Sequence, residues 1–251
     1  MDQPTRLTDS IVRLGSPMVN WYLLAADDGV TVVDSGLQGF LPQLDAGLAL
    51  LDRSRADVRA FVLTHGDADH VGVATKLQAE GDHTPIHLHP ADRYLVQGKN
   101  KDVEENLPLL LLKPSFLPFL VHFARNGALR QPKLERSVDL ADGQTLDVPG
   151  RPTVIHTPGH TEGHVVFHFP NHGALFAGDS FCTWHVTSGK RGPRPNAFNI
   201  STERAVDSLS RYEELDADLV LIGHGEPWTG SPAAAIERVR AAAAGAAPVA
   251  A

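Results

Sequence analysis

FVLTHGDADHVG, residues 61–72, sets two histidines and two aspartates within positions 65–70, directly behind an apolar run. Phe61, Val62 and Leu63 read as the end of a short buried strand. The turn after it offers side chains that share one property, a lone pair for a cation. Taken singly they have ordinary explanations: Asp67 or Asp69 would cap the following helix through backbone N–H groups, and His65 would be a hydrogen-bonded rim residue. The rest of the chain decides otherwise. RAFVLTH (59–65), RPTVIHTPGH (151–160), GALFAGD (173–179) and DLVLIGH (218–224) each run from β-branched or apolar residues into metal-competent ones. If these strands lie in packed sheets with their ends on one rim, His65, His160, Asp179 and His224 meet there. Gly159, Gly178, Gly223 and Gly225 flank these ends and permit the sharp turns that inward-pointing side chains need.

Outward from the strand ends, hairpins alternate with helices. WYLLAADDGVTVVDSG (21–36) predicts a hairpin turning at Asp28-Gly29. HVVFHFPNHGALFAG (164–178) predicts a second, turning at Asn171 to Gly173. HVGVATKLQAEG (70–81) has helical spacing at Val71, Ala74, Thr75 and Gln78 and closes on Gly81 as a C-cap. STERAVDSLSRYEELD (201–216) opens with Ser and Thr, carries Glu203 in its first turn, and sets Ala205, Leu209, Tyr212 and Leu215 on one helical face. Hairpins covered by helices predict an α/β (α+β) sheet sandwich with helices outside. One domain is expected over 1–240, with a helical apolar insert at about 92–136 and an Ala-rich tail, 241–251, that frays.

The insert contains the most apolar stretch, NLPLLLLKPSFLPFLVHF (106–123), broken by Lys113, Pro108, Pro114 and Pro118. A membrane-spanning helix needs about 20 apolar residues and an intact hydrogen-bond ladder, so no membrane is expected. Buried packing is the first reading; a lid over the site, or a face for a homodimer, is the second. A net charge of −8 and a pI near 5.9 argue against nucleic acid, whose affinity rests on Lys and Arg. The expected partner is a small-molecule substrate. A single cysteine, Cys182, reads as a small buried hydrophobe. With no secretory signal in the first thirty residues, a cytoplasmic protein is expected.

HGDADH, TPGHTEGH, FAGDS and IGHGEPW resemble, in order and context, the metallo-β-lactamase-fold metallo-hydrolase superfamily, and within it the glyoxalase II-like branch. The resemblance implies a four-layer αββα sandwich. It also implies two divalent metal ions, one on His65 and His160, the other on Asp69, His70 and His224, with Asp179 bridging. Asp34, in the opening hairpin, would support the ligands from beneath. The departure is Asp67, which stands where most members carry the second histidine. Its carboxylate would ligate zinc at about 2.0–2.2 Å, or turn the site toward iron or manganese. Being shorter than imidazole, it would otherwise fall short and leave the first site weak. Ligation and zinc are the expectation.

The implied chemistry is hydrolysis of an ester, thioester, lactone or amide. Two cations about 3.5 to 4 Å apart lower the pKa of a shared water toward about 7 and polarise the carbonyl under attack. Asp69 would be the catalytic residue that orients this water. Two other readings stand beside it. The flavodiiron branch carries a carboxylate at the Asp67 position, which would make a di-iron redox protein needing an external electron donor; a metal-poor relative would be a binding protein without catalysis. FCTWHVTSGKRGPRP (181–195) follows Asp179 in a Gly/Pro-rich loop, so Trp184, His185, Lys190, Arg191 and Arg194 are candidates to hold an anionic substrate. His87, His89, His156, His164 and His168 read as structural.

Overall fold

The structure, a computed structural model, describes residues 3–130 and 133–245. Seven strands, β1 (Thr5–Arg6), β2 (Ile11–Gly15), β3 (Asn20–Ala26), β4 (Gly29–Val33), β5 (Val58–Val62), β6 (Ile86–Leu88) and β7 (Val138–Asp139), pair in sequence order as one sheet. Its first four strands form an antiparallel meander, and β4 to β7 run parallel. The second half begins with β8 (Thr153–His156), β9 (Val165–Phe169) and β10 (Ala174–Gly178). A separate ribbon, β11 (Cys182–Trp184) with β12 (Arg191–Arg194), precedes β13 (Leu219–Ile222) and β14 (Trp228–Thr229). The second sheet has the order β14-β13-β10-β9-β8, with β13 parallel to β10.

Alternating side chains along these strands explain the layers. Tyr22, Leu24, Ala60 and Val62 of the first sheet meet Phe167, Phe169, Phe176 and Leu221 of the second in one buried cluster between the sheets. Their neighbours Trp21, Leu23, Phe61 and Leu63 face the other way, onto α1 (Leu41–Leu50) and α2 (Ala68–Ala79). On the far side, Val166, Leu175, Val220 and Ile222 pack with Leu209, Tyr212, Ile236 and Val239. Strands buried on both faces read as continuous apolar runs, and the result is an αββα sandwich. Between β6 and β7 lie three short helices, α3 (Arg93–Val96), α4 (Leu107–Leu110) and α5 (Leu117–Arg125). The outer layer of the second sheet is α6 (Thr202–Ser208) and α7 (Pro232–Ala243).

Several local expectations are corrected. Ala26 pairs with Gly29, so the two turn residues of the first hairpin are Asp27 and Asp28. The expected helix over 201–216 keeps its Ser201 cap, which accepts from the Arg204 N–H, but gives way to a 3₁₀ turn at Leu209–Arg211. A 3₁₀ turn eclipses residues three apart, which puts Leu209 and Tyr212 together on the core side, both buried. The tail does not begin at 241, because α7 continues to Ala243; residues 246–251 lie outside the described residues. Among the described residues no helix is long and apolar enough to cross a membrane.

Close packing of α2 sets up the site. Its Gly72 N–H donates to Gly36 O at 2.8 Å, and a Cβ there would meet Gln38 N at 2.3 Å and Leu37 C at 2.5 Å. Backbone cannot step aside cheaply, so Gly72→Ala should lose at least about 1–3 kcal/mol. A lower urea midpoint with unchanged slope would register it; an unchanged midpoint would show that the helix shifts freely.

Candidate metal centre

The turn between β5 and α2 delivers His65, Asp67, Asp69 and His70 to the rim. Asp67 stands at the N-cap position of α2 with extended backbone, yet its side chain makes no capping bond. It turns instead toward His160, with Oδ2 3.1 Å from His160 Nε2 and 3.6 Å from His65 Nε2. The loops after β8, β10 and β13 bring His160, Asp179 and His224. Asp179 lies centrally, with Oδ1 3.4 Å from His70 Nε2, and Oδ2 3.0 Å from His224 Nε2 and 3.5 Å from His160 Nε2. Asp69 Oδ2 is 3.5 Å from His224 Nε2 and 3.7 Å from His70 Nε2. Potential donor atoms therefore gather in three overlapping groups, His65–Asp67–His160, His65–His70–Asp179 and Asp69–His70–His224, each within 4.8 Å.

Each imidazole is anchored through Nδ1 so that Nε2 points inward. His70 Nδ1 lies 2.9 Å from Asp34 Oδ2, and His160 Nδ1 lies 2.9 Å from Asn199 Oδ1. His224 Nδ1 donates to the Met18 carbonyl at 2.6 Å. The Thr64 hydroxyl donates to Asp34 and accepts from His65 Nδ1, both at 2.9 Å. One carboxylate, Asp34, thus orients two rings, an arrangement that fixes tautomers and sharpens donors toward a metal. His164 accepts the Asp179 N–H at Nε2 and meets the Thr157 hydroxyl at Nδ1. Burial keeps it neutral, well below the usual imidazole range.

The donor set fits divalent cations. His65 Nε2, His70 Nε2 and Asp179 Oδ1 are buried without a hydrogen-bond partner, a cost of about 1–3 kcal/mol for each orphaned group unless something binds it. Burial alone would lower His70, but Asp179, Asp69 and Asp34 outweigh it and push it up to about 10. Burial would raise Asp179; His224 and His70 beside it hold it well below the usual carboxylate range. The same electrostatic field attracts a metal ion.

Three contributors escaped the sequence reading. Lys101 reaches Asp67 and His160. Asn199 fixes His160. Buried Asp92 ties the two ligand loops together, accepting from Gly66 N–H at 3.0 Å, the Thr161 hydroxyl at 2.6 Å and Gly163 N–H at 2.7 Å. Asp92→Ala leaves all three donors unpaired. The expected cost is above about 2 kcal/mol of stability, with metal affinity about 10–100-fold weaker. Chemical denaturation and chelator competition would check both; wild-type affinity would show that the loops hold without it.

The 181–195 loop meets the centre through backbone, the Thr183 and Trp184 N–H groups donating to the His224 carbonyl at 3.1 and 3.3 Å, while the side chains expected to hold substrate point elsewhere. His185 turns back on its own loop, with Nδ1 3.2 Å from Thr187 Oγ1 and 3.1 Å from Ser188 Oγ. Burial, with help from Arg194, lowers it to about 4. Lys190 and Arg191 are exposed, and none of the three lines the cavity above the ligands. That cavity, about 610 Å³, has Asp67, Asp69, His160, Asp179 and His224 at its floor. The apolar insert supplies its roof, through Phe116, Phe119, Leu120 and Phe123. Buried packing therefore describes only part of the insert, since Leu109, Leu111, Leu112 and Leu117 are exposed. His89 stacks on His156 at 4.4 Å, away from these groups.

An αββα sandwich with a His/Asp cluster at the strand ends is the architecture of the metallo-β-lactamase fold. The family model described as the metallo-beta-lactamase superfamily matches residues 14–224, and the chain belongs to that superfamily. Among its relatives, the probable metallo-hydrolase YybB of Bacillus subtilis is 27% identical, with 86% of this chain and 84% of that protein covered. An uncharacterized Mycobacterium leprae protein, ML0493, is 32% identical over 86% of this chain and 90% of its own. A metallo-beta-lactamase family protein from Thermus thermophilus, TTHA1429, superposes with a TM-score of 0.67 at 24% identity, covering 96% of this chain and 81% of that one. A HARLDQ-motif mutant of a Cronobacter sakazakii metallo-beta-lactamase gives 0.69 at 21% identity, with 98% and 96% covered. These structural likenesses speak for the fold.

Proposed function

We propose that the chain is a metal-dependent hydrolase of an ester, thioester, lactone or amide whose acyl side is apolar. The observation that carries this reading is the shared cavity: its floor is the cluster of inward-facing His and Asp side chains, and its walls are Leu95, Val96, Phe116, Phe119, Phe123 and Phe198. A volume of about 610 Å³ suits a small molecule. Two divalent ions, with zinc preferred, would be held by His65, Asp67 and His160 on one side and Asp69, His70 and His224 on the other, Asp179 between them. When bound, they supply a water of lowered pKa and a Lewis-acid contact for the carbonyl oxygen. Asp69, at the cavity floor, would orient that water and accept its proton. The aromatic roof excludes bulk solvent, which strengthens each electrostatic contact beneath it. Lys99 and Lys133 on the cavity wall would pair with a substrate carboxylate.

Metal-quantified protein assayed on ester, lactone, thioester, phosphodiester and β-lactam substrates tests the proposal. Turnover that scales with zinc content and favours longer acyl chains is the expected result. Iron with a visible chromophore would favour the redox reading that Asp67 suggests, and less than one metal per chain would favour a binding protein. Phe119→Ala should raise KM for long-acyl substrates about tenfold or more while changing kcat little, since a wall contact is made equally in ground and transition states. An unchanged KM would remove the insert from substrate recognition.

A further inference from the structure

Lys101 is almost buried, its side chain 8% exposed, and it ends inside the first subsite. Its Nζ is 2.5 Å from Asp67 Oδ2, 2.9 Å from His160 Nε2 and 3.3 Å from His160 O. Three acceptors meet the three donors of an ammonium, so the amine is fully coordinated by protein. The contact to His160 matters most. Asn199 Nδ2 donates to Asn196 O and to Thr202 Oγ1, which leaves Asn199 Oδ1 to accept from His160 Nδ1. With Nδ1 protonated, Nε2 has a single lone pair. A metal ion on His160 and the Lys101 N–H require that same lone pair.

We propose that Lys101 is a built-in competitor for the first metal subsite: its ammonium takes the His160 Nε2 lone pair and the Asp67 carboxylate, so a metal ion enters there only by displacing it. Among the described residues no lysine bonds to the second subsite, Asp69, His70 and His224, which therefore fills first. Asp67 is thereby given a task that a histidine at its position could not perform. A carboxylate accepts an ammonium and offsets its charge, whereas an imidazole would leave Lys101 buried beside neutral rings. Uncompensated buried charge costs several kcal/mol; Lys101 offsets the Asp67 carboxylate it contacts, as His224 and His70 offset Asp179. Consequently the two subsites differ in affinity although their ligand counts are similar.

This inference rests on the metal-binding reading above, and one experiment separates the two. Chelator-stripped wild type, Lys101→Met and Lys101→Gln are titrated calorimetrically with zinc, with circular dichroism to confirm the fold. Wild type should bind one equivalent tightly and a second at least about tenfold more weakly. Lys101→Met and Lys101→Gln should tighten the weak step about tenfold or more and leave the tight step within about twofold. His160→Ala should delete the weak step and spare the tight one. Equal step affinities in wild type and both variants, or loss of the weak step in both, would overturn the competitor role while leaving metal binding intact. No zinc bound by any folded variant would overturn the metal reading itself.

Discussion

Asp179→Ala should leave a folded protein that keeps less than one metal per chain and turns substrate over at least about 10³-fold more slowly. Among the described residues this carboxylate alone is close to imidazoles from both halves of the cluster, at 3.0 Å from His224 Nε2, 3.4 Å from His70 Nε2 and 3.5 Å from His160 Nε2. No neighbour can replace it. Asp69 already faces His70 and His224, and Asp67 is engaged by Lys101. Losing the several kcal/mol of transition-state stabilisation that a metal supplies corresponds to the stated rate. The backbone should survive, because the Asp179 N–H to His164 bond uses no side-chain atom of Asp179. Thermal unfolding therefore separates the cases: saturating zinc stabilises wild type by about 2.7 kcal/mol at 100 times Kd, while the variant gains little. Retained turnover, or a zinc-dependent shift equal to wild type, would place the metal elsewhere.

How much of this was legible in the sequence follows from what each feature depends on. Strands β5, β10 and β13 are buried on both faces over most of their length, so burial itself writes them as apolar runs. His65, Asp179 and His224 sit just past the ends of those runs, and His160 follows the shorter, half-buried β8. Asp34, which directly follows β4, was expected only from the resemblance of the opening hairpin to the superfamily. Lys101, Asp92 and Asn199 were not legible. Each lies in a stretch without periodicity, and its importance comes from partners 26 to 71 residues away. In the 181–195 loop the basic residues after a ligand suggest an anion site, but where they sit depends on the pairing of β11 with β12; Arg191 is exposed and does not line the cavity. The insert was half legible: its apolarity showed, but Phe facing the cavity and Leu facing solvent depend on how three short helices fold over the rim. Proline near the start of α4 and α5 helps to keep them short.

Adding a single methyl group at position 223 should silence the site as thoroughly as deleting a ligand. Gly223 follows β13 and sits beneath the cluster, its carbonyl accepting from Asn20 N–H at 2.8 Å and its N–H donating to Gly178 O at 2.9 Å. The backbone is therefore pinned from two sides. A Cβ built there would lie 2.0 Å from Asp179 Oδ1 and 2.6 Å from His70 Cε1. Those contacts are too short for any atom pair, and the Gly223 backbone cannot retreat without breaking its two hydrogen bonds. Asp179 must swing away from His70, taking its carboxylate out of the metal centre. Gly223→Ala is thus expected to lose turnover by about 10³-fold or more and to bind less than one equivalent of zinc. Its stability loss should stay within about 1–3 kcal/mol, the range for overpacking. Circular dichroism would show the αββα fold intact while calorimetric zinc titration shows the loss. If Gly223→Ala kept both zinc stoichiometry and activity, Asp179 would have room that the close approach denies, and its place between the two ligand groups would be wrong.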